Sequence, residues 1–164
     1  MLWLLVYVVT QMKSFIVYEM IYKGETIHSE ELKMISFEEK YYPQYEKIYN
    51  ECFYDMRKAL EIEPCNFYSD ISQLKDKMSH IFLLLENNVI IGSVSCLENE
   101  IDDLIVNKLY QKRGYGIKIL IWAINNIRKY SNKDILLHVA EWNKTAVMIY
   151  KKIGFEIKNI EIIN

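Results

Sequence analysis

The residues best suited to chemistry lie together between Gln111 and Gly116, in the run Gln-Lys-Arg-Gly-Tyr-Gly. Lys112 and Arg113 carry full positive charge, and glycines at 114 and 116 let the backbone curl without Cβ clashes. An amphipathic stretch follows, in which Ile117, Leu120, Ile121, Ile124 and Ile127 recur at three- and four-residue steps and so share one helical face. A helix start leaves about four backbone N–H groups without partners and carries partial positive charge. Together these features make a cradle for a phosphate group. The spacing is neither the dinucleotide pattern GxGxxG nor a P-loop, since no Gly-Lys-Ser/Thr follows. A glycine-bearing turn without a ligand is the competing reading of this stretch taken alone.

The elements that position the loop can be read on both sides of it. Ile101 to Val106 has the apolar content of a buried strand, and ILLHVA at 135–140 reads as a strand buried on both faces. Strand, loop, helix and parallel strand form a right-handed crossover, whose ligands bind at the carboxyl ends of the strands. Upstream, residues 81–97 read as a β-hairpin turning at Glu86-Asn87-Asn88, with Gly92 marking a bulge or a close backbone approach. A tight turn at Glu98–Glu100 leads into the strand at Ile101.

Farther upstream, a short strand over 31–37 precedes a helix from about Glu38, with Pro43 in its first turn and Tyr45, Ile48, Tyr49, Cys52, Met56 and Leu60 on one face. Asp70-Ile71-Ser72-Gln73 has the spacing of a capping box opening another helix through Leu74 and Met78. After the second crossover strand, a helix with Ala146, Ile149, Tyr150 and Ile153 on one face ends at Lys151, Lys152 and Gly154. A last strand runs from Phe155 to Ile163.

Residues 14–22 and the apolar run at 1–9 have strand composition. The run at 1–9 lacks a basic flank and a cleavage site, and it is shorter than the roughly 20 residues of a membrane span. It is expected to pack on the sheet or on a second subunit, making a homodimer; the alternative is an upstream extension before Met12. Residues 1–31 are therefore read as an N-terminal extension with extra strands, and 32–164 as the domain proper. The chain of 164 residues fits one domain, and its net charge of −2 gives no basic field for nucleic acid or an anionic membrane. Cys52, Cys65 and Cys96 are widely spaced and odd in number, which suits reduced thiols in a cytoplasmic protein and no metal site. His28, His80 and His138 read as scattered structural or surface residues.

The spacing Gln111-x-x-Gly114-x-Gly116 resembles the Q/R-x-x-G-x-G/A signature of the GNAT superfamily of acetyl-CoA-dependent N-acetyltransferases. Leu137, Val139, Asn143, Ala146, Tyr150, Lys152, Gly154 and Phe155 match that family's second signature, in family order. The resemblance covers residues 32–163. Lys108 departs from it where a proline is frequent, and Gln111 stands where Arg is commoner. The resemblance implies an α/β fold of the α+β kind, with a mixed, mostly antiparallel sheet splayed between its two central strands and flanked by about four helices.

It further implies that acetyl-CoA is the co-substrate. Amides of the loop Gln111, Lys112, Arg113, Gly114, Tyr115 and Gly116 would hold the pyrophosphate, and Leu104, Ile105 and Val106 would line the splay with backbone groups, the Val106 N–H facing the thioester carbonyl. Asn143 would bind the pantetheine arm or cap its helix, or do both. Tyr150 aligns with the family's general acid. Glu100 matches a general-base position, with Asp102 and Glu141 as further choices.

Acetyl transfer needs a deprotonated amine beside the thioester, donors for the developing oxyanion and a proton for the leaving thiolate. Glu98, Glu100, Asp102, Asp103 and Glu141 on the acceptor side favour a cationic amine, whether a small molecule or the lysine or N-terminal amine of a peptide. A coenzyme A-binding sensor or interaction module without catalysis is the alternative. A nucleic-acid-binding domain using Lys108, Lys112 and Arg113 is the weakest reading.

Overall fold

The computed structural model describes residues 13–164, so the strand expected at 1–9 lies outside the described residues. Seven strands form one sheet in the order β2-β3-β4-β5-β6-β1-β7. They are β1 (Phe15–Tyr22), β2 (Met34–Ser36), β3 (Ile81–Glu86), β4 (Val89–Leu97), β5 (Glu100–Val106), β6 (Ile135–Ala140) and β7 (Glu156–Ile163). All neighbours run antiparallel except β5 and β6. The described helices are α1 (Tyr42–Ala59), α2 (Tyr115–Arg128) and α3 (Lys144–Ile153).

Among the described residues there are three α-helices, where about four are expected. The capping box at Asp70 forms in full, with the Ser72 N–H donating to Asp70 Oδ1 at 2.7 Å and Gln73 Oε1 accepting from the Asp70 N–H at 2.9 Å. It opens only a 3₁₀ turn, Ile71–Leu74, followed by another at Met78–His80. Only Leu74 of the first turn is buried, and none of the second, so little packing repays helix nucleation here.

The hairpin turns on Asn87 and Asn88, both at positive φ, as a two-residue turn between right-twisted strands requires. Gly92 is a close approach as well as a bulge neighbour: a Cβ there would meet Ile119 Cδ1 at 2.5 Å and Ile105 O at 2.8 Å. The buried face of α2 consists of Ile119, Leu120, Ala123, Ile124 and Ile127, while Ile117 and Ile121 are only partly buried. On α3 the fully packed residue is Val147.

Strand β6 is not buried on both faces. Its burial alternates, with Ile135, Leu137 and Val139 in the core and His138 exposed. The physical reason is coverage. One sheet face packs under α2 and α3 across its width, with Met20, Ile124, Leu137, Val139 and Phe155 in one cluster. The opposite face packs against α1 only over β3, β4 and β5, where Tyr45, Tyr49 and Tyr68 meet Leu83, Ile90 and Ile105. Tyr49 and Tyr68 stack edge-on at 4.5 Å between ring centroids. Strand β1, drawn from the stretch read as an extension, lies inside the sheet between β6 and β7.

Candidate active site

Strands β5 and β6 share one rung, Glu100 opposite Leu136, with the Leu136 N–H donating to Asn99 O at 2.9 Å. Beyond it they part, and a gap opens toward their carboxyl ends. The Asn107 N–H donates to Ile91 O at 2.8 Å, so Asn107 turns its amide toward β4. Alternation along an antiparallel strand then turns the amides of Leu104 and Val106 the other way, into the gap. A bulge prepares this wall: Val94 of β4 is opposed by both Asp103 and Leu104, and Asp103 sits at φ +47°. The bulge also exchanges faces, so that Ile101 packs under α2 while the Ile105 side chain packs among the α1 tyrosines.

The loop lies just beyond the end of this wall. Buried Asn107 fixes the turn at Lys108–Tyr110, donating from Nδ2 to Ile90 O at 3.0 Å and accepting from the Leu109 N–H at 3.1 Å. Gln111 folds back and donates to Val106 O at 2.9 Å. Lys112, at φ +62°, is exposed, and the Arg113 guanidinium stands 5.4 Å from the Tyr110 ring centroid. Gly114 is the N-cap of α2 at φ +84°, with no side-chain cap and no heavy atom within 4 Å of a Cβ built there. Tyr115 opens the helix, and a Cβ on Gly116 would touch Val106 Cγ2 at 3.8 Å. The first-turn amides are thus bare and face open space, which suits an anion.

Asn143 caps α3, accepting from the Ala146 N–H at 3.1 Å. Glu141 pairs with Lys144 at 3.0 Å, which holds its carboxyl below the usual range. The Tyr150 ring packs on Phe155 at 5.9 Å between centroids. Burial, then the negative charge of Asp102, pushes its pKa up to about 12, so it is fully protonated at neutral pH.

The acidic residues divide into two groups on the face opposite α2 and α3. Lys77 lies 3.5 Å from both Asp102 and Asp103, and the Tyr49 hydroxyl donates to Asp103 at 3.1 Å. Burial and the neighbouring Asp102 raise the Asp103 pKa. Glu100, at the closed end of the gap, lies 3.3 Å from His138 Nδ1. Tyr150 thus belongs to the helix-covered face, and Glu100 and His138 stand on the other. Sequence reasoning set His138 aside; its only signal was alternation with Leu137 and Val139, which puts it on the uncovered face. Nothing in the pattern alone shows that Glu100 stands beside it.

The model of the acetyltransferase (GNAT) family matches residues 35–155. The chain belongs to the GNAT family. Its sheet, mostly antiparallel and parted between β5 and β6, is the fold of solved members. A GNAT acetyltransferase from Colwellia psychrerythraea is 10% identical, with 90% of this chain and 54% of that one aligned at a TM-score of 0.70. The ribosomal-protein-S18-alanine N-acetyltransferase of Escherichia coli is 18% identical over 74% of this chain and 76% of its own, at a TM-score of 0.57. The PaiA N-acetyltransferase of Thermoplasma acidophilum, solved with coenzyme A, is 15% identical over 79% and 92%, at a TM-score of 0.55. This GNAT chain spans only 50% to 63% of the length of several longer structures it matches. No curated protein sequence matches it. Among the described residues no helix is long and apolar enough to cross a membrane.

Proposed function

We propose that this GNAT protein moves an acetyl group from acetyl-CoA to a primary amine by direct attack in a ternary complex. The observation that carries the reading is the gap between β5 and β6: inward-facing backbone N–H groups on one wall, a protonated tyrosine on one face, carboxylates on the other, and a bare helix N-terminus beyond its end. Gly114 supports the fit to coenzyme A, because its side-chain position is empty space. The amides from Gln111 to Gly116 hold the pyrophosphate, with Lys112 and Arg113 adding charge, and Asn143 contacts the pantetheine arm while capping α3. When bound, acetyl-CoA supplies an activated acyl carbon and a thiolate leaving group.

The chain's own residues do the rest. The Leu104 and Val106 amides stabilise negative charge developing on the thioester oxygen. Tyr150 gives its proton to the departing sulfur. The proton-accepting side lies with Glu100. The surplus of carboxylates over Lys77 on that face favours a cationic acceptor, a small amine or the lysine or N-terminal amine of a peptide. Edge strand β7, with exposed Ile160 and Ile162, supports a homodimer, to be checked by sedimentation. The reduced-thiol reading of Cys52, Cys65 and Cys96 supports a cytoplasmic site of action.

Calorimetric titration with acetyl-CoA, free coenzyme A and ATP tests the cofactor, with micromolar binding of both coenzyme A forms and none of ATP expected. Thiol release with spermidine, glucosamine, lysine amide and an alanine-initiated peptide then tests transfer. Binding without transfer to any of them would favour the non-catalytic coenzyme A-binding module.

A further inference from the structure

The carbonyl of Val106, the last residue of β5, is turned toward the parted edge of the sheet. The Asn107 N–H donates to Ile91 O on β4 at 2.8 Å, and across a trans peptide the Val106 oxygen then points the other way, toward the gap. Strand β6 leaves that oxygen without a ladder partner, because β5 and β6 share only the rung at Glu100 and Leu136. Two side chains from different elements take the vacant place. Gln111 Nε2 donates to Val106 O at 2.9 Å from the loop, and Cys52 Sγ donates to the same oxygen at 3.2 Å from α1. A carbonyl oxygen has two lone pairs, so both are used. Burial pushes the Cys52 thiol up to about 11, which keeps its hydrogen in place as a donor at neutral pH.

This end of the wall needs such ties. From Asp103 to Val106 strand β5 is laddered on one edge only, and its register with β4 is already broken between Ser93 and Ser95. Helix α1 grips the stretch twice from one helical face. The Tyr49 hydroxyl donates to Asp103 at the bulge, at 3.1 Å, and Cys52, three residues on, holds the last carbonyl. Gln111 makes the third tie, joining the end of β5 to the start of the loop. One oxygen therefore links α1, the β5 wall and the loop that precedes α2.

We infer that Gln111 and Cys52 are positioning residues for acetyl transfer, whose side chains fix the end of β5, and with it the Val106 N–H, at a set distance from the phosphate loop. This rests on the acetyl-transfer reading and extends it to two side chains that act through Val106. Gln111 then has two separate parts, a backbone amide in the cradle and a side chain that serves as a strut. A misplacement of about 1 Å between reacting groups costs about 10²-fold in rate, so the strut matters to turnover more than to binding. Glutamine and arginine both end in N–H donors and both suit position 111, whereas a side chain without a donor leaves the carbonyl to the weaker thiol alone.

The test uses the full chain and compares the parent with Gln111→Met, Gln111→Arg, Cys52→Ala and Cys52→Ser. Methionine matches glutamine in length but has no donor. Affinity for acetyl-CoA is read by calorimetry, and turnover as thiol release with the best acceptor among spermidine, glucosamine, lysine amide and an alanine-initiated peptide. Polarisation of the thioester is read as the ¹³C shift of bound acetyl-CoA labelled at the acetyl carbonyl. Gln111→Met is expected to keep the affinity within about threefold while kcat falls by about 10- to 100-fold. Its carbonyl signal should move back toward that of free acetyl-CoA, and Gln111→Arg should restore both readings. Cys52→Ala should act in the same direction and less strongly, with recovery in Cys52→Ser, and this pair decides the matter if Gln111→Met fails to fold. Parent-like turnover and carbonyl signal in Gln111→Met and Cys52→Ala overturn the inference while leaving acetyl transfer intact. A fall in affinity and melting temperature that accounts for the whole loss of rate also overturns it, since the two side chains would then only hold the fold. If the parent binds acetyl-CoA but acetylates none of these amines, the carbonyl signal alone decides. A parent that does not bind acetyl-CoA overturns the acetyl-transfer reading itself, and this inference with it.

Discussion

The two halves of the sheet differ in what lies on them. Strands β2 to β5 are packed on both faces, by α2 and by the tyrosines of α1, and seven successive residues of β4, Ile90 to Cys96, are buried. Strands β6, β1 and β7 are packed on one face, and in β7 only Ile157 is even partly buried. The gap runs along the seam. One wall is therefore rigid and offers backbone N–H groups, which need fixed geometry, while the half beyond the gap carries Glu19, His138 and Glu161 on its open face. A cofactor common to many reactions suits the first wall.

The largest expected effect comes from the loop beyond the rigid wall. Gly114→Asp imposes a side chain at φ +84° and a negative charge where the pyrophosphate would lie. Affinity for acetyl-CoA should fall by about 100-fold or more, by analogy with the loss of a charge-assisted anion site; parent-like binding in the calorimeter would remove the cradle argument. Next is Tyr150→Phe, which should lower kcat by about 10² to 10³ while leaving affinity unchanged. With the Tyr150 phenol as the proposed acid and its pKa pushed up to about 12, its contribution is expected below that pH and lost only above it. The parent should therefore show no alkaline limb from this group between pH 8 and 10.

Two stability measurements sharpen the contrast between the walls. Gly92→Ala drives a methyl group to 2.5 Å from Ile119 and 2.8 Å from a backbone oxygen, and should cost about 1–3 kcal/mol in chemical denaturation. A change near zero would mean the doubly packed half is looser than described. Asp103→Asn should act the other way. Burial raises the folded pKa of Asp103, so ionisation is disfavoured by folding and the carboxylate weakens the fold at neutral pH. Asparagine keeps the shape and tolerates φ +47°, so stability at pH 7 should rise by about 1 kcal/mol or less, with the difference closing as pH falls. A less stable variant at pH 7 would contradict this.

Much of the backbone was legible because its signals are local. Gly114, the Asn87-Asn88 turn and Gly154, an αL cap at φ +116°, each announce a backbone conformation that few residues adopt. The parting of β5 and β6 followed from the family resemblance and is observed. The open half of the sheet was less legible because it depends on which distant strands become neighbours. Glu19, Glu100 and His138 are brought together by β1 and β5 both lying beside β6, and no spacing within the chain encodes that. The 3₁₀ turn after Asp70 shows a different limit, since a capping box fixes where a turn starts but only packing decides how far it continues.

The place of β1 between β6 and β7 has a consequence in time. Phe15 finds its partner at Ile163 and Tyr22 finds its partner at Ile135, so β1 waits for strands made much later. Such distant closures are slow relative to local ones. During synthesis the loop at 111–116 and strands β2 to β5 before it can assemble before β6 and β7 are made. A chain interrupted before residue 155 would hold β6 but not β7, leaving one side of β1 without its partner strand.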